Sequence, residues 1–213
     1  FPDMASLSFV LSTCGIDSHT VININPGFYA ERLVLESVPG TADTITLTIN
    51  GGSAATTTLA TDLLSAVSLD GTNYTTVKNL TLEVTGTNDV YGVHLTNFAS
   101  FNTIDSCIIT MDDTTTFLND VVGVSSSDDI LDDNAEGDNA YWTTVSNCTI
   151  TGGEYGIHFE GATANRNVGN SAINNVLMNQ EDYGIYVDDQ DSLTIVGNTI
   201  SGLRNGNADA IYC

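Results

Sequence analysis

Gly156-Ile157-His158-Phe159 and Gly184-Ile185-Tyr186-Val187 carry one phrase: a small residue, then apolar, polar, apolar. Further copies are Ala66-Val67-Ser68-Leu69, Gly92-Val93-His94-Leu95 and Ala210-Ile211-Tyr212-Cys213, while Gly123-Val124-Ser125-Ser126 is a copy that has lost its second apolar residue. The small residues at 66, 92, 123, 156, 184 and 210 stand 26, 31, 33, 28 and 26 positions apart. Repeats of that length are single turns of a solenoid whose outer loops vary in length.

A second phrase lies ahead of most copies, clearest in Leu193-Thr194-Ile195-Val196-Gly197-Asn198-Thr199-Ile200. It recurs at Val145-Ser146-Asn147-Cys148-Thr149-Ile150, Ile104-Asp105-Ser106-Cys107-Ile108-Ile109 and Val77-Lys78-Asn79-Leu80-Thr81-Leu82, and more loosely at Ile173-Asn174-Asn175-Val176-Leu177-Met178. These runs are short, β-branched and bounded by Gly, Asn, Asp and Thr, so they read as strands separated by turns. No stretch reads as a helix. Strand side chains alternate faces, which puts Val93, Leu95, Ile157, Phe159, Ile185 and Val187 in the core and His94, His158 and Tyr186 on the outside. One such unit cannot bury its apolar face alone, but parallel stacking of successive turns about 4.8 Å apart makes a continuous interior.

This order of an apolar-x-Asn-x-apolar strand, a turn and a Gly-Ile-x-apolar strand resembles the right-handed parallel β-helix family of pectate-lyase-like proteins, over Thr44 to Cys213. Val21-Ile22-Asn23-Ile24-Asn25-Pro26-Gly27-Phe28-Tyr29-Ala30-Glu31 is similar to the Pro-Gly-x-Tyr-x-Glu segment that opens pectin-esterase-type β-helices. The expected fold is therefore all-β, a right-handed parallel β-helix in one domain over 1–213. It has an opening segment at 1–43, stacked turns over 44–213 and an acidic insertion near 128–140. The chain begins at Phe1-Pro2-Asp3 and stops inside a strand at Cys213, so it reads as a piece of a longer chain whose adjoining turns would be its neighbours.

Four Lys and Arg against 27 Asp and Glu give a formal charge of −23. No basic stripe is available to meet phosphates, which argues against nucleic acid and anionic membrane surfaces as partners. Such a charge suits a solvated surface, divalent cations or a salty medium. The sequence shows no membrane-spanning run and no signal peptide. Cys107 and Cys148 fall in equivalent interior slots of adjacent turns and Cys213 in another, so buried free thiols are the first reading, with a Cys107–Cys148 bridge geometrically allowed. No Cys/His spacing points to zinc.

Stacked repeats line up outward ladders. One reads Ser68, His94, Ser125, His158, Tyr186, Tyr212, and the next Asp70, Thr96, Ser127, Glu160, Asp188. Glu160 and Asp188 on adjacent turns, with His158, Tyr186 and Asp189 beside them, form the candidate binding face. Paired carboxylates at strand spacing share a proton, bind calcium or meet sugar hydroxyls; alternatively they are ordinary solvated residues. The insertion Asp128-Asp129-Ile130-Leu131-Asp132-Asp133-Asn134-Ala135-Glu136-Gly137-Asp138 contains Asp132-x-Asn134-x-Glu136-Gly137, alternating oxygen ligands before a Gly turn. That echoes a calcium loop, with Thr143 standing where a closing Glu belongs. A flexible acidic loop is the plainer reading.

Catalysis implied by the resemblance finds few partners, and no catalytic residue is assigned. Pectate lyases pair calcium-binding acids with a basic residue, yet Arg32, Lys78, Arg166 and Arg204 all lie off the two ladders. Polygalacturonase-like enzymes carry Asn-Thr-Asp, paired Asp, Gly-His-Gly and Arg-Ile-Lys; only Asp188-Asp189 is present here. Pectin esterases need Asp, Asp, Gln and Arg in one cleft, and Gln180 and Gln190 are not in that context. The sequons at Asn73, Asn79 and Asn147, together with Asp-Ser/Thr-apolar phrases at 43–45, 113–115 and 191–193, tilt toward an exported protein. The leading expectation is a non-catalytic β-helical module of a large secreted or cell-surface protein, adhesin-like, needing no cofactor unless calcium, with glycans as contacts. The alternatives are a polysaccharide lyase, hydrolase or esterase completed elsewhere, and a phage-tail or filament component.

Overall fold

In the computed structural model residues 1–86, 88–111, 119–137 and 139–213 are described. Asp138 of the insertion and the 113–115 phrase lie outside the described residues. The chain winds as a parallel β-solenoid of about seven turns, built on three seven-stranded sheets. Sheet A holds 20–23, 47–50, 75–78, 103–105, 144–146, 171–173 and 194–196; sheet B holds 27–29, 57–61, 81–84, 108–111, 149–151, 176–178 and 199–201. Sheet C holds 33–35, 65–70, 88–96, 119–126, 155–159, 183–187 and 209–212.

The register stacks like on like. On sheet C the column Leu33, Val67, Val93, Val124, Ile157, Ile185, Ile211 runs from one end to the other. Ile49, Val77, Ile104, Val145 and Ala172 form the matching column on sheet A, and Leu59, Leu82, Ile109, Ile150 and Leu177 on sheet B. Each of these residues is buried except Ile211 on the outermost coil, and together they make one cluster.

The small residue of the phrase is dictated by contact with the next coil. A Cβ on Gly156 would stand 2.4 Å from a Leu177 methyl and 2.6 Å from the Gly184 carbonyl oxygen, and Gly92, Gly123 and Gly184 meet the same obstruction one rung away. In five successive coils the corner between sheets A and B uses one left-handed residue, at Asn79, Ser106, Asn147, Asn174 and Gly197, with φ between 53° and 70°. Asn and Gly suit that conformation. The next residue then points inward: Leu80, Cys107, Cys148, Asn175, Asn198. Interior asparagines are satisfied rung to rung, Cys148 N–H donating to Asn175 Oδ1 at 2.9 Å and the Asn175 amide donating to Val145 O at 2.9 Å. Asn102 and Asn170 do the same at the corner before sheet A.

Cys107 and Cys148 are buried and free, as read from the repeats, whereas Cys213 sits on the outermost coil and is exposed. The opening segment corrects the expectation of no helix. Helix α1 spans Met4–Cys14, with Asp3 as its N-cap accepting from Ser6 N–H at 2.7 Å and Gly15, at φ 65°, donating back to Leu11 O. Its Met4, Leu7 and Leu11 are buried against the first coil, but Phe9 and Val10 are exposed, so its apolar residues fall all round and mask the helical period. The first coil begins at Thr20, and Gly27-Phe28-Tyr29 of the Pro-Gly phrase is its sheet B strand, with Glu31 accepting from Met4 N–H at 2.7 Å. No helix among the described residues is long and apolar enough to cross a membrane.

Candidate functional site: a covered acid and histidine cluster on sheet C

The outward ladders have the expected register: Ser68, His94, Ser125, His158, Tyr186 and Tyr212 are paired in turn along sheet C. Their expected exposure is corrected. His158 is 0% exposed, Glu160 5%, His94 1% and Ser125 0%. The acidic insertion is the cause. It leaves the sheet after Ser126, closes on itself through Asp128 N–H to Ala135 O at 3.0 Å, and lies over the outer face.

His158 is the centre of what the insertion covers. Its Nδ1 is 3.1 Å from Asp133 Oδ2 of the insertion, and its Nε2 is 3.1 Å from Glu160 Oε2 one step along its own strand face. Tyr155 and Tyr186 close the ring edge-on at 5.3 and 4.7 Å. Burial works against charge on His158, but the hydrogen bonds to Asp133 and Glu160 outweigh it and its pKa is pushed up to about 9. Burial likewise raises Glu160, with His158 opposing. His94, one repeat pair away, goes the other way. Burial lowers its pKa to about 4, with Nε2 2.9 Å from Ser127 Oγ and Nδ1 without a hydrogen-bond partner among the described residues.

More carboxylates gather beside Asp133. Side-chain oxygens of Asp120, Asp132 and Asp133 all lie within 4.8 Å of one another. Burial and then the Asp133 charge push Asp120 up to about 8, and the same causes push Glu154 up to about 7. Glu154 accepts from Asp120 N–H at 2.9 Å. The wholly buried Tyr91 hydroxyl has no hydrogen-bond partner among the described residues.

Of the residues singled out in the sequence, His158 and Glu160 meet directly, and Tyr186 packs on His158 while stacking between Tyr155 at 5.4 Å and Tyr212 at 4.9 Å. Asp188 follows Glu160 in register and stays exposed. Asp189 turns aside to accept from Thr163 Oγ1 at 2.7 Å and to face Arg166 at 3.5 Å. The three residues of the suggested calcium loop each have a local partner. Asp132 takes the Asn134 N–H, Asn134 donates to Asp133, and Glu136 faces Thr163 N–H.

Asp120, Asp133, Glu154 and Tyr91 were not legible as site residues. One signal was available: Asn88-Asp89-Val90 is repeated as Asn119-Asp120-Val121, and Asp89 and Asp120 both take the left-handed conformation on adjacent rungs. A second feature escaped notice too. Tyr74, Phe101 and Trp142 stack at 4.8 and 6.4 Å with planes within 3°, and Trp142 lies on the Cβ-less face of Gly169. Their faces are spent on one another, leaving edges to solvent. Among basic groups, Arg32 is bound to Ser65 O at 2.6 Å and Arg166 faces Asp189 and Asp191, both away from His158. Comparison with protein-family models, with curated proteins and with solved structures finds no match for this chain, so its functional reading rests on the geometry described above.

Proposed function

We propose that this chain is a non-catalytic β-solenoid module of a larger exported protein, adhesin-like, that holds a stiff column and displays its outer faces for weak glycan contact. The observation that carries this reading is the closure of His158. Both imidazole nitrogens are engaged by carboxylates, and the ring is out of reach of solvent. A general acid or base must reach the proton it moves on a bound substrate, and a ring held this way serves the fold instead. About seven coils at about 4.8 Å each make a column of roughly 34 Å, with every sheet hydrogen-bonded along its length. The exported, cell-surface part of the reading draws on the likeness to pectate-lyase-like right-handed β-helices.

Glycan contact falls to the residues that remain open beside the covered cluster: Tyr186 with Tyr183 and Tyr212, and the exposed Asp188. Because the Tyr186 ring is stacked between Tyr155 and Tyr212, what these tyrosines offer beside the carboxylate is their edges and hydroxyls, which are suited to sugar hydroxyls. Many such weak contacts on one rigid scaffold add through multivalency. His158 and Glu160 stand behind this face as its support.

The test is incubation with neutral and acidic polysaccharides, with and without calcium, followed by assay for new reducing ends and for unsaturated products. No product is expected. Turnover that disappears in His158→Asn would overturn the non-catalytic reading. A glycan panel probed with the parent and with Tyr186→Ala combined with Asp188→Asn checks the contact face; binding that the double substitution leaves unchanged would remove that part and leave the scaffold role standing.

A further inference from the structure

The carboxylates beneath the insertion raise a separate question, because of Asp120, Asp132 and Asp133 His158 meets Asp133 alone, and Asp120 and Asp132 form no ion pair among the described residues. Asp120 belongs to the strand Asn119–Ser126 of sheet C, whereas Asp132 and Asp133 belong to the insertion that folds across it. Their oxygens nonetheless lie within 4.8 Å of one another. Three oxygens within that separation lie no more than about 2.8 Å from a common centre, so a shift of a few tenths of an ångström brings all three to the calcium–oxygen distance of about 2.4 Å. The ion pairs of Asp133 among the described residues consist of its contact with His158, whose other nitrogen is taken by Glu160.

Tyr91 gives an independent indication. Its side chain is wholly buried, its hydroxyl has no hydrogen-bond partner among the described residues, and the charges of Asp133, Asp120, Asp89 and Asp132 act on it. A buried hydroxyl left unpaired costs about 1–3 kcal/mol. A hard cation seated among the three carboxylates, within reach of this hydroxyl, would take the lone pair of the phenol as one more ligand. Among the described residues the converging group is carboxylate only, the His158 imidazole being spent on Asp133 and Glu160, and an all-oxygen set selects calcium over zinc or copper. Asp132 is exposed, so the outer side of the site is open to the waters that complete six to eight ligands.

We propose that Asp120, Asp132 and Asp133, with the Tyr91 hydroxyl, form a calcium site that pins the acidic insertion onto sheet C. This set differs from Asp132, Asn134 and Glu136, the triad that the sequence spacing suggests beside the plainer reading of a flexible acidic loop. The ion bridges insertion to strand, so it holds the cover over His158 in place. The inference does not rest on the glycan reading and stands or falls separately from it.

The experiment is calorimetric titration of the full chain with calcium chloride, alongside thermal unfolding and limited proteolysis within 128–137, with magnesium at equal concentration for comparison. The expected result is one saturable calcium site with Kd about 10⁻⁴ M, in the range of extracellular modules, a higher Tm and slower cleavage. Asp120→Asn and Asp132→Asn each weaken that affinity by about tenfold or more, while Asp17→Asn, on a distant exposed acid, leaves it unchanged. Asp132 makes only a local turn contact, so its variant keeps the fold and the comparison stays informative. Absence of saturable binding up to about 10 mM calcium, well above the range of such sites, would overturn the proposal. So would a smaller loss in either variant, since the response would then be general screening of a chain of net charge −23.

Discussion

Asp133 Oδ2 lies 3.1 Å from His158 Nδ1 across 25 positions of chain, and both side chains are fully buried. This contact joins the acidic insertion to the solenoid wall. Deleting one member of a buried charged pair leaves the other without compensation and costs about 3 kcal/mol or more. Asp133→Ala is therefore expected to lower unfolding free energy by about 3 kcal/mol in urea titration and to expose the insertion to protease. Equal stability and equal protection would mean that the insertion is held by other contacts.

Gly156→Ala tests the stacking of coils. The added methyl would meet the Gly184 carbonyl and a Leu177 methyl at 2.6 and 2.4 Å, and backbone cannot give way as a flexible side chain can. The expected loss is about 3 kcal/mol, at the upper end for overpacking. Gly206→Ala, with nothing within 4 Å of the new methyl, is expected to stay within about 0.5 kcal/mol of the parent. Similar Tm values for the two variants would contradict the register of sheet C.

His94 makes stability depend on acid. Burial lowers its pKa from 6.5 to about 4 in the fold; Asp70 and Asp129 favour its charged form, Arg32 opposes it, and Ser127 and the Tyr91 ring complete its surroundings. The unfolded chain takes up the proton first as pH falls, so this contribution is complete above pH 6.5 and is lost progressively toward pH 4. His94→Gln should flatten that part of the stability profile, the difference reaching on the order of 3 kcal/mol at pH 4. Parallel profiles for parent and variant would show that His94 is not sequestered from water.

Thiol labelling follows burial. Cys14 and Cys213 are exposed and should react at once with a thiol reagent, whereas Cys107 and Cys148, buried on adjacent rungs, should react only on unfolding. Rapid labelling of Cys107 in the folded chain would place the corner between sheets A and B at the surface.

The parts of this structure legible in the sequence are those set by period two and by contact between coils. Val93, Ile157 and Ile185 sit in one column because alternation and the Gly phrase fix both face and register. The Cys107–Cys148 slot was legible for the same reason. What eluded reading depends on the path of segments without a period. Exposure of His158 and Glu160 was misjudged because nothing in Asp128–Gly137 says which way an acidic loop will fold, and its cover comes from Asp133, a residue that looked like one more solvated acid. Helix α1 was hidden by exposed Phe9 and Val10. Asp120 joined Asp132 and Asp133 through a fold-back that no local spacing records.

The central claim is that His158 is a covered, charged support between Asp133 and Glu160, unavailable for catalysis. Its most direct test is nitrogen NMR of the histidine side chains from about pH 3 to about pH 10. The prediction is that His158 carries protons on both nitrogens at pH 7, exchanges them slowly with water and loses charge only near pH 9, while His94 stays neutral down to about pH 4. A His158 signal that titrates near 6.5 with protons exchanging freely would mean that the site is open, and the account of this chain as a closed scaffold would fail.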